Sequence, residues 1–185
     1  MKKILITGGA GYIGSHTAVE LWNAGLEPII LDDFSNSHEN VLDRLAEITS
    51  KRFAFYRGDC NQREILDQIA QEHQLAGVIH FAAFKAVGES TQQPLAYYKN
   101  NLGSLLVLLE FMQDKEIQNI VFSSSCTVYG QPDVLPVTEA TPRKDAESPY
   151  GNTKKIGEDI LVDYVKSKPG IRVVEIGRAS CRERV

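Results

Sequence analysis

Residues 6–14 read ITGGAGYIG and form a glycine-rich turn between two apolar segments. Before the turn, residues 2–7 are rich in Ile and Leu, which predicts a buried strand. After it, residues 13–24 have the spacing of an amphipathic helix, which Gly25 ends. The sequence therefore predicts a strand, a tight turn and a helix in direct succession.

The glycines of this turn have the spacing of a phosphate-binding loop. Gly9, Gly11 and Gly14 satisfy the pattern G-x-G-x-x-G, and Gly8 begins the wider form G-x-x-G-x-x-G. Glycine is needed because the turn is tight and because ligand, strand and helix must approach its backbone closely. Free amides and the positive end of the helix dipole would then bind the pyrophosphate of a dinucleotide.

Short apolar strands and longer helical segments alternate through the rest of the chain. This alternation is typical of a parallel sheet that helices cover on both faces. We expect an α/β fold with a doubly wound, Rossmann-like parallel sheet in three layers (α/β/α), truncated near the sixth strand. The further predicted strands are residues 27–31, 52–57, 77–81, 119–123 and 171–174, and the further helices are residues 39–49, 62–73, 94–113 and 148–168.

Residues 175–185, EIGRASCRERV, depart from this pattern. They contain three arginines and two glutamates and show no apolar period. A charged, frayed terminus is one explanation. We expect instead that this atypical tail is non-native, because it resembles the translation of a common sequencing adapter. An uninterrupted genomic reading frame through Val185 would contradict that expectation.

The composition argues against several classes of function. The 185 residues carry a net charge of −4 without a basic cluster, which disfavours nucleic acid and an anionic membrane surface as partners. No apolar run is long enough to span a bilayer. Cys60, Cys126 and Cys181 have the spacing of neither a disulfide framework nor a zinc site. We therefore expect no metal and a cytoplasmic location.

Carboxylates follow the second and third predicted strands. Asp32 and Asp33 stand at about the distance from the glycine turn at which a carboxylate binds an adenosine ribose. Such a carboxylate repels the 2′-phosphate of NADP, and no arginine adjoins it in the sequence, so NAD is favoured as the cofactor. The alternative is a solvated turn. Asp59, after the third strand, fits a contact with adenine and an ordinary turn equally well.

A serine, a tyrosine and a lysine form a candidate catalytic set. Ser125 closes the fifth strand, and Tyr150 and Lys154 share one face of the last helix because they are four residues apart. A free phenol has a pKa of about 10 and is a poor base, but a nearby ammonium and an oxidised nicotinamide ring would lower that pKa. Tyr150 would then act as a general base. The pattern Y-x-x-x-K is common, and without the glycine turn and Ser125 it would indicate only an exposed turn of a helix.

Seven stretches together resemble the amino-terminal part of the extended short-chain dehydrogenases/reductases, and closely that of the UDP-glucose 4-epimerase family. They run in family order through essentially all of residues 1–174. The stretches are residues 6–21, 31–37, 58–62, 78–90, 97–104, 122–130 and 148–154.

The resemblance implies a function for each part of the chain. Residues 1–174 would be an NAD-binding domain with the catalytic residues Ser125, Tyr150 and Lys154, and the substrate-binding residues would be Lys85, Ser125 and Tyr150. The implied cofactor-binding residues are Gly8, Gly11, Tyr12, Ile13, Gly14, Asp32, Asp33, Phe34, Ser35, Asn36, Ser37, Asp59, Cys60, Phe81, Ala82, Lys85, Asn100, Tyr150 and Lys154.

The implied reaction is the interconversion of UDP-glucose and UDP-galactose by transient oxidation at C4. The resemblance further implies a homodimer of the full-length protein and a carboxyl-terminal substrate domain that these 185 residues lack. We therefore expect the chain by itself to be inactive.

Two alternatives remain. The first is another NAD-dependent nucleotide-sugar epimerase or dehydratase of the same family. Dehydratases carry an Asp-Glu pair after the catalytic hydroxyl, whereas this chain has Cys126 and Thr127. The second is a non-catalytic NAD-binding module, which the intact set of Ser125, Tyr150 and Lys154 disfavours because a module without catalysis needs no tuned phenol.

Overall fold

Six apolar segments form the strands of one parallel sheet. The computed structural model describes residues 1–177 of the chain. The strands are β1 (Lys3–Thr7), β2 (Glu27–Asp32), β3 (Ala54–Arg57), β4 (Leu75–His80), β5 (Asn119–Ser123) and β6 (Arg172–Ile176). The helices are α1 (Tyr12–Asn23), α2 (Asn40–Thr49), α3 (Arg63–Glu72), α4 (Val87–Gln92), α5 (Pro94–Asp114) and α6 (Pro149–Ser167), with a 3₁₀ helix at Cys126–Tyr129.

The strand order is β3-β2-β1-β4-β5-β6, and every pair is parallel. The chain runs outward from β1 to β3, returns, and then runs outward from β4 to β6. The order therefore reverses between β1 and β4, where a crevice opens beyond the carboxyl ends of the strands. This confirms the predicted doubly wound fold, and the reversal of strand order is where sheets of this kind bind ligands.

The core lies on both faces of the sheet because successive strand residues point in opposite directions. Leu5 and Ile6 on β1 are both fully buried, but in different apolar clusters. Leu5 packs in the cluster that includes residues of α3, α5 and α6, whereas Ile6 packs with residues of α1 and α2. Each fully buried side chain of this size contributes about 1.5–3 kcal/mol. The result is the expected three-layer arrangement.

The structure differs from the predicted elements in three places. The six-residue helix α4 and the 3₁₀ helix were not predicted, because short segments show no helical period. Strand β6 extends to Ile176, and Glu175 and Ile176 are the register partners of Phe122 and Ser123. The predicted atypical tail therefore begins inside β6. A polar Glu175 is compatible with a strand here because β6 is an edge strand.

The remainder of the predicted tail, residues 178–185, lies outside the described residues, and its non-native origin stays a prediction. Among residues 1–177, no helix is both long enough and apolar enough to cross a membrane.

Candidate active site

The glycine turn folds back against the neighbouring strands. The amide of Gly8 donates a hydrogen bond to the carbonyl of Leu31 (2.8 Å), and Gly8 has a φ of +70°, which a residue with a side chain rarely adopts. A Cβ at Gly14 would lie 2.2 Å from the carbonyl oxygen of Gly8. Only glycine therefore lets α1 start this close to the end of β1.

The start of α1 faces the crevice with its backbone amides. Gly11 precedes the helix, and Tyr12 and Ile13 are its first residues. Within the described part of the chain, no side chain caps the amides at this end. Unpaired amides and the helix dipole make such a terminus a site for an anion, including a pyrophosphate. Tyr12 is 78% exposed, so its side chain leaves the backbone open to a ligand.

Asp32 connects the glycine turn to the loop that follows β2. Its buried carboxylate accepts hydrogen bonds from the amide of Ala10 (2.9 Å), the amide of Phe34 (2.9 Å) and the hydroxyl of Ser37 (2.8 Å). A carboxylate has about four acceptor sites, so one remains for a ligand hydroxyl. The predicted position of Asp32 beside the glycine turn is thus what the structure shows.

The rest of the loop after β2 surrounds this carboxylate. Asp33, Ser35 and Asn36 are exposed, and Asp33 accepts a hydrogen bond from the amide of Ser35 (2.8 Å). Phe34 has a φ of +60°, and its ring lies 5.1 Å from that of Phe55. These loop residues and Ser37 thus lie together, as the sequence predicted.

An arginine does lie beside Asp32 in space, although none adjoins it in the sequence. The register of β2 and β3 pairs Asp32 with Arg57. The Arg57 guanidinium lies 5.5 Å from the centre of the Phe34 ring and donates a hydrogen bond to Glu39 (2.8 Å).

The segment after β3 forms a second polar turn at the same edge. Asp59 accepts hydrogen bonds from the backbone amide (2.8 Å) and the side-chain amide (2.9 Å) of Asn61. Burial, with a smaller contribution from Asp59, raises the pKa of the Cys60 thiol to about 12. The Cys60 side chain is therefore a neutral, buried thiol.

A chain of side-chain hydrogen bonds runs from this turn through α5 to α6. Asn61 donates to Asn100 (3.2 Å), Asn100 to Asn101 (3.1 Å), and Asn101 to the hydroxyl of Thr153 (3.0 Å). The Thr153 hydroxyl in turn donates to the carbonyl of Tyr150 (2.7 Å). The network joins a predicted cofactor residue, Asn100, to the predicted catalytic helix.

Asn101 and Thr153 were not predicted as site residues. Asn101 is buried, and its side-chain amide makes two hydrogen bonds with the backbone of Phe84. The amide accepts one from the Phe84 N–H (2.8 Å) and donates one to the Phe84 carbonyl (3.0 Å). An available signal was an asparagine pair inside an apolar helix, where asparagine is an unfavourable residue.

The loop after β4 lies between the glycine turn and α5. The amides of Phe81 and Ala82 both donate to the carbonyl of Thr7 (3.0 and 3.1 Å), at the end of β1. Lys85 is exposed in the same loop. The structure thus brings these three predicted residues to the crevice at the point where the strand order reverses.

Ser125 lies two residues after the end of β5, at the start of the 3₁₀ helix. It is buried, and its hydroxyl oxygen accepts a hydrogen bond from the amide of Thr127 (3.3 Å). It thereby starts the 3₁₀ helix that packs against α6. Within residues 1–177, the buried hydroxyl of Thr127 has no hydrogen-bond partner.

Tyr150 and Lys154 occupy the first two turns of α6. Ser148 caps this helix by accepting a hydrogen bond from the amide of Gly151 (3.1 Å). Tyr150 is partly buried, whereas Lys154 is 4% exposed and places its Nζ 4.9 Å from the centre of the Phe122 ring on β5. The predicted pair therefore stands next to the end of the strand that carries Ser125.

Two other ionisable groups near this set are held neutral. Burial, with a smaller contribution from Lys154, lowers the pKa of His80 to about 3. Burial, followed by the hydrogen bond to Glu89, raises the pKa of the Tyr97 phenol to about 12. His80 therefore resists gaining a proton and the Tyr97 phenol resists losing one, so neither is suited to act as the base, and the Tyr150 phenol remains the candidate.

Glu158 is a buried carboxylate that the sequence did not single out. It lies one helical turn beyond Lys154, accepts a hydrogen bond from Ser124, and forms an ion pair with Arg143 (3.1 Å). Since Ser124 adjoins Ser125, this carboxylate ties α6 to the strand end that carries the candidate catalytic hydroxyl. Among the residues that the structure describes, no group of three His, Cys, Asp or Glu side chains could hold a metal ion.

A sequence model of the family described as GDP-mannose 4,6 dehydratase matches residues 5–177, and so covers both the glycine turn and the set of Ser125, Tyr150 and Lys154. The chain belongs to this family.

Curated relatives of the chain are UDP-glucose 4-epimerases. The enzyme of Neisseria meningitidis serogroup B is 51% identical over 91% of this chain and 50% of its own length. The enzyme of Bacillus subtilis is 52% identical over 86% of this chain and 47% of its own length. The chain thus spans about half the length of the curated relatives it matches.

Solved structures of similar proteins have the same fold. The UDP-glucose 4-epimerase of Bifidobacterium longum, in complex with NAD⁺ and UDP, superposes with a TM-score of 0.93 at 43% identity, over 95% of this chain and 52% of that one. The enzyme of Stenotrophomonas maltophila, with bound NAD and formylated UDP-arabinopyranose, gives a TM-score of 0.92 at 40% identity, over 96% and 52% of the two chains.

Proposed function

We propose that this chain supplies the NAD-binding part and the catalytic residues of a UDP-glucose 4-epimerase. The observation that carries the proposal is the placement of Ser125, Tyr150 and Lys154 at one end of a sheet whose first turn is built for a dinucleotide. The similarity to epimerases whose structures contain NAD and UDP supports the same assignment.

The residues around the crevice fit NAD. The close approach of Gly14 to Gly8 and the uncapped start of α1 among residues 1–177 leave room and donors for a pyrophosphate. Asp32 keeps one acceptor site for a ribose hydroxyl. The other residues that we propose to contact NAD lie at the start of α1, in the segments that follow β2, β3 and β4, and on α5 and α6: Gly11, Tyr12, Ile13, Asp33, Phe34, Ser35, Asn36, Ser37, Asp59, Cys60, Phe81, Ala82, Lys85, Asn100, Tyr150 and Lys154.

The proposed reaction inverts C4 of a UDP-hexose. Bound NAD would supply the chemistry of removing a hydride from C4 and returning it. The Tyr150 phenolate would take the proton of the C4 hydroxyl, and the Lys154 ammonium would favour the phenolate. Ser125 would donate a hydrogen bond to the oxygen that loses its proton, and Lys85 would contact the substrate from the opposite loop.

A dehydratase is the alternative that the family description suggests. Elimination of water needs an acid and a base beside the oxidised sugar. Cys126 and Thr127 follow Ser125 in this chain, and neither carries a carboxylate. The side chains next to the proposed catalytic hydroxyl therefore favour an epimerase.

The proposed function predicts the effect of removing one phenol. Residues 1–177 are joined to the carboxyl-terminal half of the Bacillus subtilis relative, and the conversion of UDP-galactose to UDP-glucose is measured with added NAD. We expect Tyr150→Phe to lower kcat by about 10²- to 10⁴-fold, because the base is lost. Tyr164→Phe is the matched control, since its phenol lies on the same helix but donates to the carbonyl of Leu109.

Equal activity of Tyr150→Phe and Tyr164→Phe would contradict the catalytic assignment. Binding of NAD to the 185-residue protein itself is measured separately by isothermal titration calorimetry. An active chimera that yields a different nucleotide sugar, with no UDP-glucose, would favour another epimerase of the family.

We further propose a homodimer and a cytoplasmic location. Helices α5 and α6 pack side by side and expose Leu106, Val162 and Val165. An exposed apolar group of this kind supports pairing with a second copy of the chain. Cys60 and Cys126 are free cysteines, which supports a reducing compartment.

A further inference from the structure

Arg57 stands at the edge of the crevice next to the proposed ribose-binding carboxylate. Neighbouring strands are about 4.8 Å apart, and the register of β2 and β3 makes Arg57 the direct partner of Asp32. The guanidinium lies over the ring of Phe34, whose own amide donates to Asp32. The backbone of Arg57 is therefore next to that of Asp32, and its guanidinium contacts Phe34 in the loop that surrounds the proposed NAD-selecting carboxylate.

Glu39 determines where this cation is held. Glu39 lies directly before α2, and its carboxylate pairs with the Arg57 guanidinium at 2.8 Å. Both side chains are largely exposed, at 65% for Arg57 and 69% for Glu39. An exposed ion pair contributes little to stability, so Arg57 is only weakly held and can exchange Glu39 for another anion.

The ion pair of Glu39 and Arg57 bears on the choice between NAD and NADP. A carboxylate at the end of β2 binds the ribose hydroxyls of NAD, whereas a nearby arginine accommodates the 2′-phosphate of NADP. Arginine binds a phosphate through two parallel hydrogen bonds, so a free guanidinium at this edge would favour NADP. The chain thus carries an NADP-type determinant that a neighbouring carboxylate engages.

We infer that Glu39 is a specificity-determining residue, which strengthens the preference for NAD over NADP by holding Arg57 away from the 2′ position of the adenosine ribose. This inference rests on the proposed NAD-binding function. Two carboxylates would then discriminate against NADP. Asp32 repels its 2′-phosphate directly, and Glu39 pairs with the Arg57 guanidinium that would otherwise bind this phosphate.

The test measures the dissociation constants of NAD⁺ and NADP⁺ for the 185-residue protein by calorimetry at low salt, where exposed charges are least screened. In Glu39→Gln, the ratio of the NADP⁺ constant to the NAD⁺ constant is expected to fall by about threefold to tenfold, the effect of one charge several ångströms away near a surface. In Glu39→Gln/Arg57→Ala, the ratio is expected to return to at least its original value.

Asp43→Asn is the matched control. Asp43 lies on α2, which Glu39 precedes, and pairs with an exposed arginine, Arg52, at 2.7 Å, but Arg52 precedes β3 at the opposite end of the strand from Arg57. The variant changes the net charge by the same amount as Glu39→Gln, and the ratio should stay within a factor of about two, because distant exposed charges are screened.

An unchanged ratio in Glu39→Gln, an equal fall in Asp43→Asn, or a fall that persists without the Arg57 guanidinium would each overturn the inference. In those cases NAD⁺ still binds, so the proposed function stands. Failure of the unmodified protein to bind either cofactor would instead overturn the proposed function together with this inference.

Discussion

The Lys154 ammonium lies near two buried rings, those of Phe122 and His80. Its ammonium lies over the face of Phe122, and on β4 the imidazole of His80 stacks against the same ring at 6.1 Å. A cation near an aromatic face is stabilised by about 0.5–2 kcal/mol, whereas a second buried cation beside it would be repelled. The lowered pKa of His80 follows from burial and from this neighbour. A neutral His80 places no second positive charge beside the Lys154 ammonium.

This environment predicts how His80 contributes to stability as pH changes. Its folded pKa of about 3 lies below the ordinary value of 6.5. Between these values the unfolded chain binds a proton that the folded protein does not, so the contribution is complete above pH 6.5 and is lost as pH falls toward 3. Urea unfolding from pH 7 to pH 4 should show a steeper loss of unfolding free energy in the unmodified protein than in His80→Asn, by at most about 1.4 kcal/mol per pH unit.

Nuclear magnetic resonance of the imidazole carbons supplies the second measurement. The His80 signals should keep the shifts of a neutral ring throughout this range. A His80 signal that titrates near pH 6, together with equal pH slopes for the two proteins, would show that the ring is not held neutral.

At the scale of helices and strands, the site depends on how closely α6 approaches β5. A Cβ at Gly157 would lie 2.8 Å from the ring of Phe122 and 3.4 Å from Leu105. This glycine lies less than one helical turn beyond Lys154 and leaves no room for even a methyl group. The contact therefore fixes the height of the proposed catalytic residues above the sheet.

The prediction is that Gly157→Ala destabilises the protein although alanine is the better helix former. Overpacking a core contact costs about 1–3 kcal/mol, which exceeds the gain of about 1 kcal/mol in helix propensity. Gly88→Ala in α4 is the control, because a Cβ there meets no atom within 4 Å, and it should stabilise by about 0.5–1 kcal/mol. Urea denaturation measures both changes. Stabilisation in both variants would mean that α6 is not tightly packed on β5.

The same packing explains which site residues the sequence could reveal. The glycine turn, Asp32 and the Tyr150–Lys154 pair follow local spacing rules, so a strand–turn–helix pattern and an i,i+4 relation predict them. Asn101 and Glu158 obey no local rule, because their roles arise only when α5 and α6 dock on the sheet and bury them. Local sequence patterns thus predict site residues whose placement depends on a single strand, turn or helix. They do not predict residues such as Asn101 and Glu158, whose contacts join different helices and strands.

At the scale of the molecule, register carries information that the linear sequence lacks. Arg57 is far from Asp32 along the chain, yet the pairing of β2 with β3 makes them neighbours. The alternation of elements predicts a parallel doubly wound sheet, but it does not state which residues of adjacent strands are paired. The sequence neighbours of Asp32 therefore include no cation, whereas the fold places Arg57 on the adjacent strand.

The sheet and the helix layer offer two competing surfaces for association. Strand β6 is an edge of the sheet and exposes Val174, whereas α5 and α6 expose Leu106. An open edge invites pairing between strands, while an apolar helix face favours packing between helices. The proposed homodimer uses the helices, so the two surfaces should respond differently to an added charge.

One charged substitution on each surface distinguishes association through the helices from association through the sheet edge. Leu106→Glu should convert the dimer to a monomer, because a carboxylate would be buried without a partner in the helix interface. Val174→Lys should leave the dimer intact, since lysine on an edge strand opposes only strand pairing. Size-exclusion chromatography with light scattering, at several protein concentrations, gives the mass of each variant. A dimer that survives Leu106→Glu and dissociates in Val174→Lys would assign association to the sheet edge, and a monomeric unmodified protein would refute the homodimer.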